Sequence, residues 1–205
     1  MCGRYQLEIS LDEILNFIDV LGEVKDRYQA EELQAMTHPK KDIFPGARAL
    51  VLTREGLKEP VWGFPLEKKL VFNARAESLY EKPFFRQAAK ERRCLVPANL
   101  FYEWQGPEKI KHEVSQASPL FYLGGLYSRF PNAQGEPEEH FSIITTASQG
   151  PMLNLHPRTP LIVSPPDLRV YLDPLASETQ VRRILETPPQ GLIIRQTGPS
   201  QLSFF

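Results

Sequence analysis

The sequence predicts a single α+β domain built mainly on antiparallel β-sheet, with a barrel-like core and flanking helices. Apolar runs suited to strands outnumber stretches with helical spacing, and the two kinds do not alternate along the chain. Proline is frequent, at 19 of 205 residues, which favours loops and short strands over a helical bundle. Hydrophobic residues make up 41% of the chain, enough for a buried core. Because no repeat or linker is visible, we expect residues 1–205 to form one domain.

Three segments are predicted to be helices. Ser10 and Glu13 form a capping box, after which apolar residues follow at helical spacing as far as Leu21. The segment 83–93 has a proline at its start and basic residues at its end, as the helix dipole favours. The segment 177–186 again starts with capping-box residues.

The predicted strands are short apolar runs that are separated by loops rich in Pro, Gly, Asn and Gln. They are found within residues 1–10, 49–53, 60–65, 94–96, 100–104, 120–127, 141–146, 161–164 and 191–196. The polar and charged stretch 23–41 is predicted to be a flexible connection.

Charge and cysteine content exclude several classes of protein. The formal net charge is -1, so nucleic-acid binding would need a local basic patch. No apolar run approaches the roughly 18 residues of a membrane span, and the start MCGRYQLEIS does not resemble a signal peptide. Two cysteines form no disulfide framework, and the four histidines show no zinc spacing. We therefore expect a cytoplasmic protein with free thiols, no metal, no cofactor and no membrane partner.

Cys2 directly follows the initiator methionine. Aminopeptidases remove methionine when the next side chain is small, so the mature chain is expected to begin with Cys2. Its α-amine, with a pKa of about 7.7–8.0, would then neighbour its thiol. Such an aminothiol condenses with an aldehyde to an imine and closes to a thiazolidine ring. The alternatives are an N-terminal-nucleophile hydrolase and an ordinary small residue at a chain end.

Further motifs accompany the CGRY start of the chain. They are FNARAES at 72–78, RRCLVPANLFYEW at 92–104, ITTAS at 144–148 and LHPRTPLIV at 155–163. In this order and spacing the sequence resembles the SRAP family, the SOS-response-associated peptidases, which are also called abasic-site processing proteins. The stretches EKPFFRQAAKERR and PVWGFP are similar to that family too, so the resemblance covers nearly the whole chain.

The resemblance implies a monomeric, nucleoid-associated sensor of abasic sites in single-stranded DNA. Family members lose Met1 and use Cys2 to form a thiazolidine crosslink with the ring-opened sugar, which shields the lesion from strand cleavage. The resemblance also implies thiol autopeptidase activity, which removes residues that precede Cys2. Because an imine acidifies the neighbouring C–H, an AP-lyase side activity is a further expectation.

The resemblance assigns the catalytic roles to four residues. Cys2 is the nucleophile, Asn73 holds its amine, Glu103 is a general acid and His156 shuttles protons. Aromatic neighbours in the sequence are expected to raise the pKa of Glu103. Without the resemblance, Asn73 would be read as a turn residue, Glu103 as a surface residue at a strand edge and His156 as a structural residue.

Five further residues match DNA-contact positions. Arg4, Arg75 and Arg158 are candidates for phosphate contacts, because the guanidinium group suits bidentate binding of phosphate. Trp62 and Trp104 are candidates for stacking on bases. The alternatives are surface ion pairs for the arginines and core packing for the tryptophans.

The sequence departs from the family pattern at Asn99–Leu100, where Asp-Gly is common, and at Thr159, where Met is usual. Two other functions remain open on the residues alone. One is a cysteine peptidase that acts on other proteins through Cys2 and His156. The other is a non-catalytic domain that binds single-stranded DNA. Cys94 is expected to be a buried, inert thiol.

Overall fold

A computed structural model describes residues 2–20, 22 and 28–198. The α-helices in this part of the chain are α1 (Leu11–Asp19), α2 (Ala30–Ala35), α3 (Pro83–Glu91), α4 (Pro151–Leu155), α5 (Leu168–Leu172) and α6 (Glu178–Glu186). Short 3₁₀ turns lie at Ala76–Ser78 and Pro165–Asp167.

The strands are mostly short. They are β1 (Tyr5–Ile9), β2 (His38–Ile43), β3 (Val51–Thr53), β4 (Gly56–Lys58), β5 (Val61–Trp62), β6 (Phe64–Leu66), β7 (Lys69–Val71), β8 (Asn73–Arg75), β9 (Arg93–Ala98), β10 (Leu100–Gln105), β11 (Ile110–Ser115), β12 (Phe121–Pro131), β13 (Pro137–Ala147), β14 (Arg158–Pro160), β15 (Ile162–Val163) and β16 (Ile193–Gln196).

The described strands form two large sheets and one hairpin. The smaller sheet has the order β16-β11-β10-β1-β2, with every pair antiparallel. The larger sheet follows β14-β13-β12-β9-β3-β4, with β15 on β12 and with β5 and β8 parallel to β13. Strands β6 and β7 form the hairpin. The predicted α+β fold on mainly antiparallel sheet is confirmed, but these strands do not close into a barrel, so the barrel-like core is corrected to two open sheets.

An aromatic column joins the two sheets. Tyr5 in β1 meets the ring of Trp62 in β5 edge-on, with 5.2 Å between centroids. Trp62 in turn stacks on Phe141 in β13 at 6.1 Å, and all three rings are fully buried. The indole Nε1 of Trp62 donates to the carbonyl of Phe72 at 2.9 Å. This column fixes the start of β1, and with it Cys2, against the larger sheet.

The first helix begins as the sequence predicts. The Ser10 hydroxyl accepts a hydrogen bond from the backbone N–H of Glu13, and the Glu13 carboxylate accepts one from the N–H of Ser10. The apolar stripe of α1 buries Ile14 and Ile18. Leu21, the last residue of the predicted stripe, lies outside the described residues.

The prediction of a flexible connection over 23–41 is wrong for its second half. Residues 23–27 lie outside the described part of the chain, but helix α2 and strand β2 form within residues 30–43. Strand β2 is an edge strand that pairs with β1, and most of its side chains face solvent. A polar sequence therefore suits it, because its backbone rather than its side chains attaches it to the sheet. No helix in the described residues is long and apolar enough to cross a membrane.

Candidate active site

Strand pairing brings the start of the chain to the FYEW motif. Strand β1 runs antiparallel to β10, with Tyr5 opposite Phe101, and the N–H of Tyr102 donates to the carbonyl of Arg4 at 3.0 Å. Because the two strands run in opposite directions, the residues before Tyr5 lie alongside those after Phe101, which places Cys2 near Glu103. The larger sheet supplies Asn73 at the start of β8, and His156 follows α4.

The Cys2 thiol is completely buried, and its Sγ lies 3.8 Å from the carbonyl oxygen of Arg4. Burial raises the pKa of this thiol well above its usual value, and the negative charge of Glu103 raises it further. The sulfur is therefore held as a neutral thiol at physiological pH. These properties belong to the unprocessed chain, in which Met1 itself lies outside the described residues.

Glu103, in strand β10, is almost completely buried, with 2% of its surface exposed. Burial raises its pKa, against the opposing effect of the positive charge of His156. The predicted raised pKa is confirmed, and the alternative of a surface glutamate at a strand edge is wrong. Glu103 thus lies close enough to Cys2 and to His156 for the charges of these groups to act on one another.

The ring of His156 is anchored through one nitrogen. Its Nδ1 lies 3.0 Å from the backbone nitrogen and 2.9 Å from the backbone oxygen of Arg158. Whichever tautomer is present, Nδ1 is engaged by the backbone, so any proton transfer at this ring would take place at Nε2.

Asn73 binds the backbone of Cys2 directly. Its Nδ2 donates to the carbonyl oxygen of Cys2 at 2.9 Å. We expected Asn73 to contact the amine of Cys2, but it contacts the carbonyl oxygen of that residue instead. The Oδ1 atom of Asn73 is buried and has no hydrogen-bond partner among the described residues. That oxygen is therefore able to accept a hydrogen bond from a group that enters the site.

Arg4 lies on the opposite face of the smaller sheet from Glu103, in a network that the sequence did not reveal. Asp42 accepts hydrogen bonds from Nε and Nη2 of Arg4, from Gln6 at 3.1 Å and from the Tyr102 hydroxyl at 2.9 Å. Although burial opposes it, these bonds hold the pKa of Asp42 below its ordinary value. Burial and the bond to Asp42 raise the pKa of Tyr102 to about 12.

Arg158 and Arg75 lie on β14 and β8, which both pair with β13 in the larger sheet. Arg158 forms two hydrogen bonds to the carboxylate of Glu77, at 2.6 and 2.9 Å, and a further one to the carbonyl of Thr145. Hydrogen bonding from Arg158 keeps the pKa of Glu77 low. Arg75 is exposed and lies opposite Thr145 on β13. Arg158 is thus an ion-pairing residue, and Arg75 presents its charge to solvent.

The two tryptophans have different positions. Trp62 has no exposed surface, so its assignment to base stacking is wrong and the core-packing alternative holds. Trp104 is half-buried on the same face of β10 as Tyr102, with 6.4 Å between ring centroids. It remains a candidate for stacking. Cys94 is fully buried, as expected.

Sequence reasoning missed Asp42, Glu77 and Tyr102. The first two are partners of arginines, and a partner across strands leaves no signal in a single sequence. Tyr102 could have been found, because two residues along a strand lie on one face and it stands two before Trp104. Within the described residues no cluster of His, Cys, Asp or Glu is arranged to hold a metal ion.

Known proteins resemble this chain over most of its length. The chain is 29% identical over 203 residues to the abasic site processing protein YoqW of Bacillus subtilis (92% of this chain, 87% of YoqW). It is 30% identical over 189 residues to the abasic site processing protein YoaM of the same organism (85% of this chain, 80% of YoaM). A crystal structure of a Bacteroides thetaiotaomicron protein shares the fold, with a TM-score of 0.81 at 22% identity (97% and 93% coverage). The family model for SOS response associated peptidase (SRAP) matches residues 1–197, and the chain therefore belongs to the SRAP family.

Proposed function

We propose that this protein captures abasic sites in single-stranded DNA as a covalent thiazolidine adduct of Cys2, after Met1 has been removed. The observation that carries the proposal is the position of the Cys2 thiol, which lies buried beside Glu103 and is influenced by its charge. The relatives named abasic site processing proteins support the substrate class.

The chemistry consists of two additions to the same carbon. The neutral α-amine of Cys2 attacks the aldehyde carbon of the ring-opened sugar and forms a carbinolamine. Protonation of its hydroxyl by Glu103, with His156 as proton relay, releases water and leaves an imine. The Cys2 sulfur then bonds to the imine carbon while its proton moves to the imine nitrogen. The net reaction joins one amine, one thiol and one aldehyde and releases one water.

The raised thiol pKa of the unprocessed chain favours this order of events over a cysteine peptidase that acts on other proteins. A peptidase needs a thiolate to attack first, whereas burial and the charge of Glu103 keep the Cys2 thiol protonated. In the proposed route the amine attacks first and the thiol reacts only with the more electrophilic imine. Asn73 supports this route because it holds the Cys2 carbonyl in place.

Two side activities, a preferred substrate, an oligomeric state and a location also belong to the proposal. Autopeptidase activity would hydrolyse the peptide bond before Cys2, and elimination from the imine would give weak AP-lyase activity. A single strand is the proposed substrate because its sugar can be reached without flipping a nucleotide from a duplex. We also propose that the protein acts as a monomer at the nucleoid, where exposed Arg75 contributes to a local basic patch.

The test uses the full-length protein and a single-stranded oligonucleotide with one abasic site. Intact-mass measurement should show loss of Met1 and an adduct that withstands denaturing gels. Cys2→Ala should abolish that adduct and, because it keeps an α-amine, should increase strand cleavage. Cys94→Ala is the matched control, since it removes the other buried thiol. Processed wild-type protein that forms no adduct would overturn the proposal, and so would an adduct that persists in Cys2→Ala.

A further inference from the structure

Glu77 occupies the edge of Arg158 that a phosphate group would bind. Nη1 and Nη2 of Arg158 donate to the two carboxylate oxygens of Glu77, at 2.6 and 2.9 Å. Arginine binds a phosphate group in the same two-point geometry. The other edge of the guanidinium is closed, because its Nε is shielded from solvent and has no hydrogen-bond partner among the described residues. An anion that arrives from solvent therefore meets Arg158 at the edge that Glu77 already holds.

This ion pair lies beside the candidate active site. The backbone of Arg158 holds the ring of His156 through its Nδ1. On β8, Arg75 stands two residues after Asn73, which binds the carbonyl of Cys2. In the proposed reaction the abasic sugar lies at Cys2 and carries a phosphodiester on each side. The phosphates next to the lesion thus approach the part of the molecule that bears these two arginines.

Strand register places both arginines on one face of the larger sheet. Arg75 lies opposite Thr145 on β13, and Arg158 lies opposite Ala147. Side chains two residues apart on a strand share a face, and so do residues paired across strands. Hydrogen bonding from Arg158 is the main cause that lowers the pKa of Glu77, and the charge of Arg75 lowers it further. One carboxylate thus stands where two arginine charges meet, as a phosphate group would.

The carboxylate can leave while Arg158 stays in place. The side chain of Glu77 is 55% exposed and belongs to the surface turn Ala76–Ser78, whereas that of Arg158 is only 16% exposed. Nη2 of Arg158 also donates to the carbonyl oxygen of Thr145, and it lies 3.3 Å from the Oγ1 of the same residue. Displacement of Glu77 therefore breaks the ion pair alone and leaves a guanidinium that the backbone still positions.

We propose that Glu77 competes with the DNA backbone for Arg158, so that a phosphate group of the strand has to displace the carboxylate before it binds the guanidinium. This inference rests on the proposed function and concerns how that site selects its substrate. The competition weakens noncovalent binding to every single strand. A strand with an abasic site is still retained by its covalent bond to Cys2, whereas an intact strand is released. Glu77 is thus a specificity-determining residue, which shortens the time spent on undamaged DNA.

The test measures binding of the full-length protein to an intact single-stranded oligonucleotide, which has no aldehyde and forms no crosslink. Glu77→Gln keeps the size of the side chain and removes its charge. It should bind about five-fold more tightly, because the phosphate no longer displaces an ion pair of that strength. Glu77→Asp keeps the charge on a shorter side chain and should lie between Glu77→Gln and wild type. Fluorescence anisotropy at low ionic strength, where exposed ion pairs are least screened, measures the affinities.

A double-mutant cycle separates this competition from a general effect of charge. Arg158→Gln alone should weaken binding, and Glu77→Gln should then add nothing, because no guanidinium is left to release. Glu138→Gln is the matched control. It removes the same charge from another arginine pair, that with Arg48, at the opposite end of β13. This control should bind as wild type does, and thermal melts should show that every variant is folded.

Three results would overturn the competition. They are equal or weaker binding by Glu77→Gln, a full gain that persists in the Arg158→Gln background, and a gain of the same size in Glu138→Gln. Crosslinking of abasic DNA by the wild type is measured separately. A wild type that crosslinks through Cys2, with no gain in Glu77→Gln, would leave the proposed function standing. A gain without any crosslink would overturn the proposed function and leave the competition in place.

Discussion

At the scale of single residues, the environment of Glu103 decides what the site can do. Its neighbours in the sequence are aromatic, and the structure buries it almost completely next to a thiol and an imidazole. A carboxyl group whose pKa is raised keeps its proton closer to neutral pH than an ordinary glutamate does, and so can donate it during loss of water.

A pH dependence follows for the crosslinking rate. The rate should rise as the amine of Cys2 loses its proton and should fall as pH passes the raised pKa of Glu103, because the acid form disappears. Glu103→Gln should slow crosslinking by about 100-fold or more and abolish the fall on the alkaline side. Single-turnover rates between pH 5 and 9 measure both effects. Glu113→Gln, on the outer face opposite Tyr102, is the control; an unchanged profile in Glu103→Gln would contradict the role.

Candidate site residues could be predicted where a sequence motif contains them. They could not be predicted where tertiary packing determines the position of a side chain. Cys2, Glu103 and His156 were predicted from their motifs, and the structure brings them near one another, while their catalytic roles stay predictions. Trp62 was misassigned because an indole serves equally well in a core and on a binding face. Only its contacts with both sheets place it in the core, and those involve strands distant in the sequence.

At the scale of elements, Arg93 was predicted to stabilise the end of one helix, but in the structure it binds the ends of two. The basic end of the segment 83–93 predicted a favourable helix terminus, and Arg93 does donate to the carbonyls of Ala89 and Lys90 at the end of α3. It also donates to the carbonyls of Tyr171 and Asp173 at the end of α5. One buried guanidinium thus joins two helices to the start of β9, and the second helix could not be predicted from the sequence around Arg93.

Strand β12 requires glycine at position 124. A Cβ added there would lie 2.5 Å from Cδ2 of Leu161 and 3.1 Å from the hydroxyl of Tyr171, both of which are buried side chains. Gly124→Ala should therefore destabilise the fold by about 1–3 kcal/mol through overpacking. Urea unfolding measures the change, with Gly198→Ala as control because a Cβ there meets no atom within 4 Å. Equal stability of the two variants would show that β12 and β15 can separate without cost.

At the scale of the whole molecule, the pH dependence of folding stability comes from two sets of groups, carboxylates with lowered pKa values and buried thiol and phenol groups with raised ones. Asp42 and Glu77 have lowered pKa values, so the stability they contribute is present at neutral pH and is lost as pH falls through those values. Burial raises the pKa of Cys2 and Tyr5, which stay protonated in the folded state. The unfolded chain releases those protons first, so stability is lost as pH rises past their ordinary values.

Tyr5 and Tyr171 separate the effect of burial from that of hydrogen bonding. Both are fully buried with raised pKa values, but the Tyr171 hydroxyl donates to the carbonyl of Gly125 at 3.0 Å, whereas that of Tyr5 has no partner among the described residues. Removal of an unsatisfied buried hydroxyl relieves a desolvation cost, so Tyr5→Phe should be stabilised by about 1 kcal/mol, and Tyr171→Phe should lose about that much. Thermal melts from pH 7 to 11 should also show a smaller alkaline loss in both variants, because each lacks one group that ionises on unfolding. Destabilisation of Tyr5→Phe at pH 7 would mean that its hydroxyl contributes to the contact between the two sheets, and the aromatic column would then depend on more than ring packing.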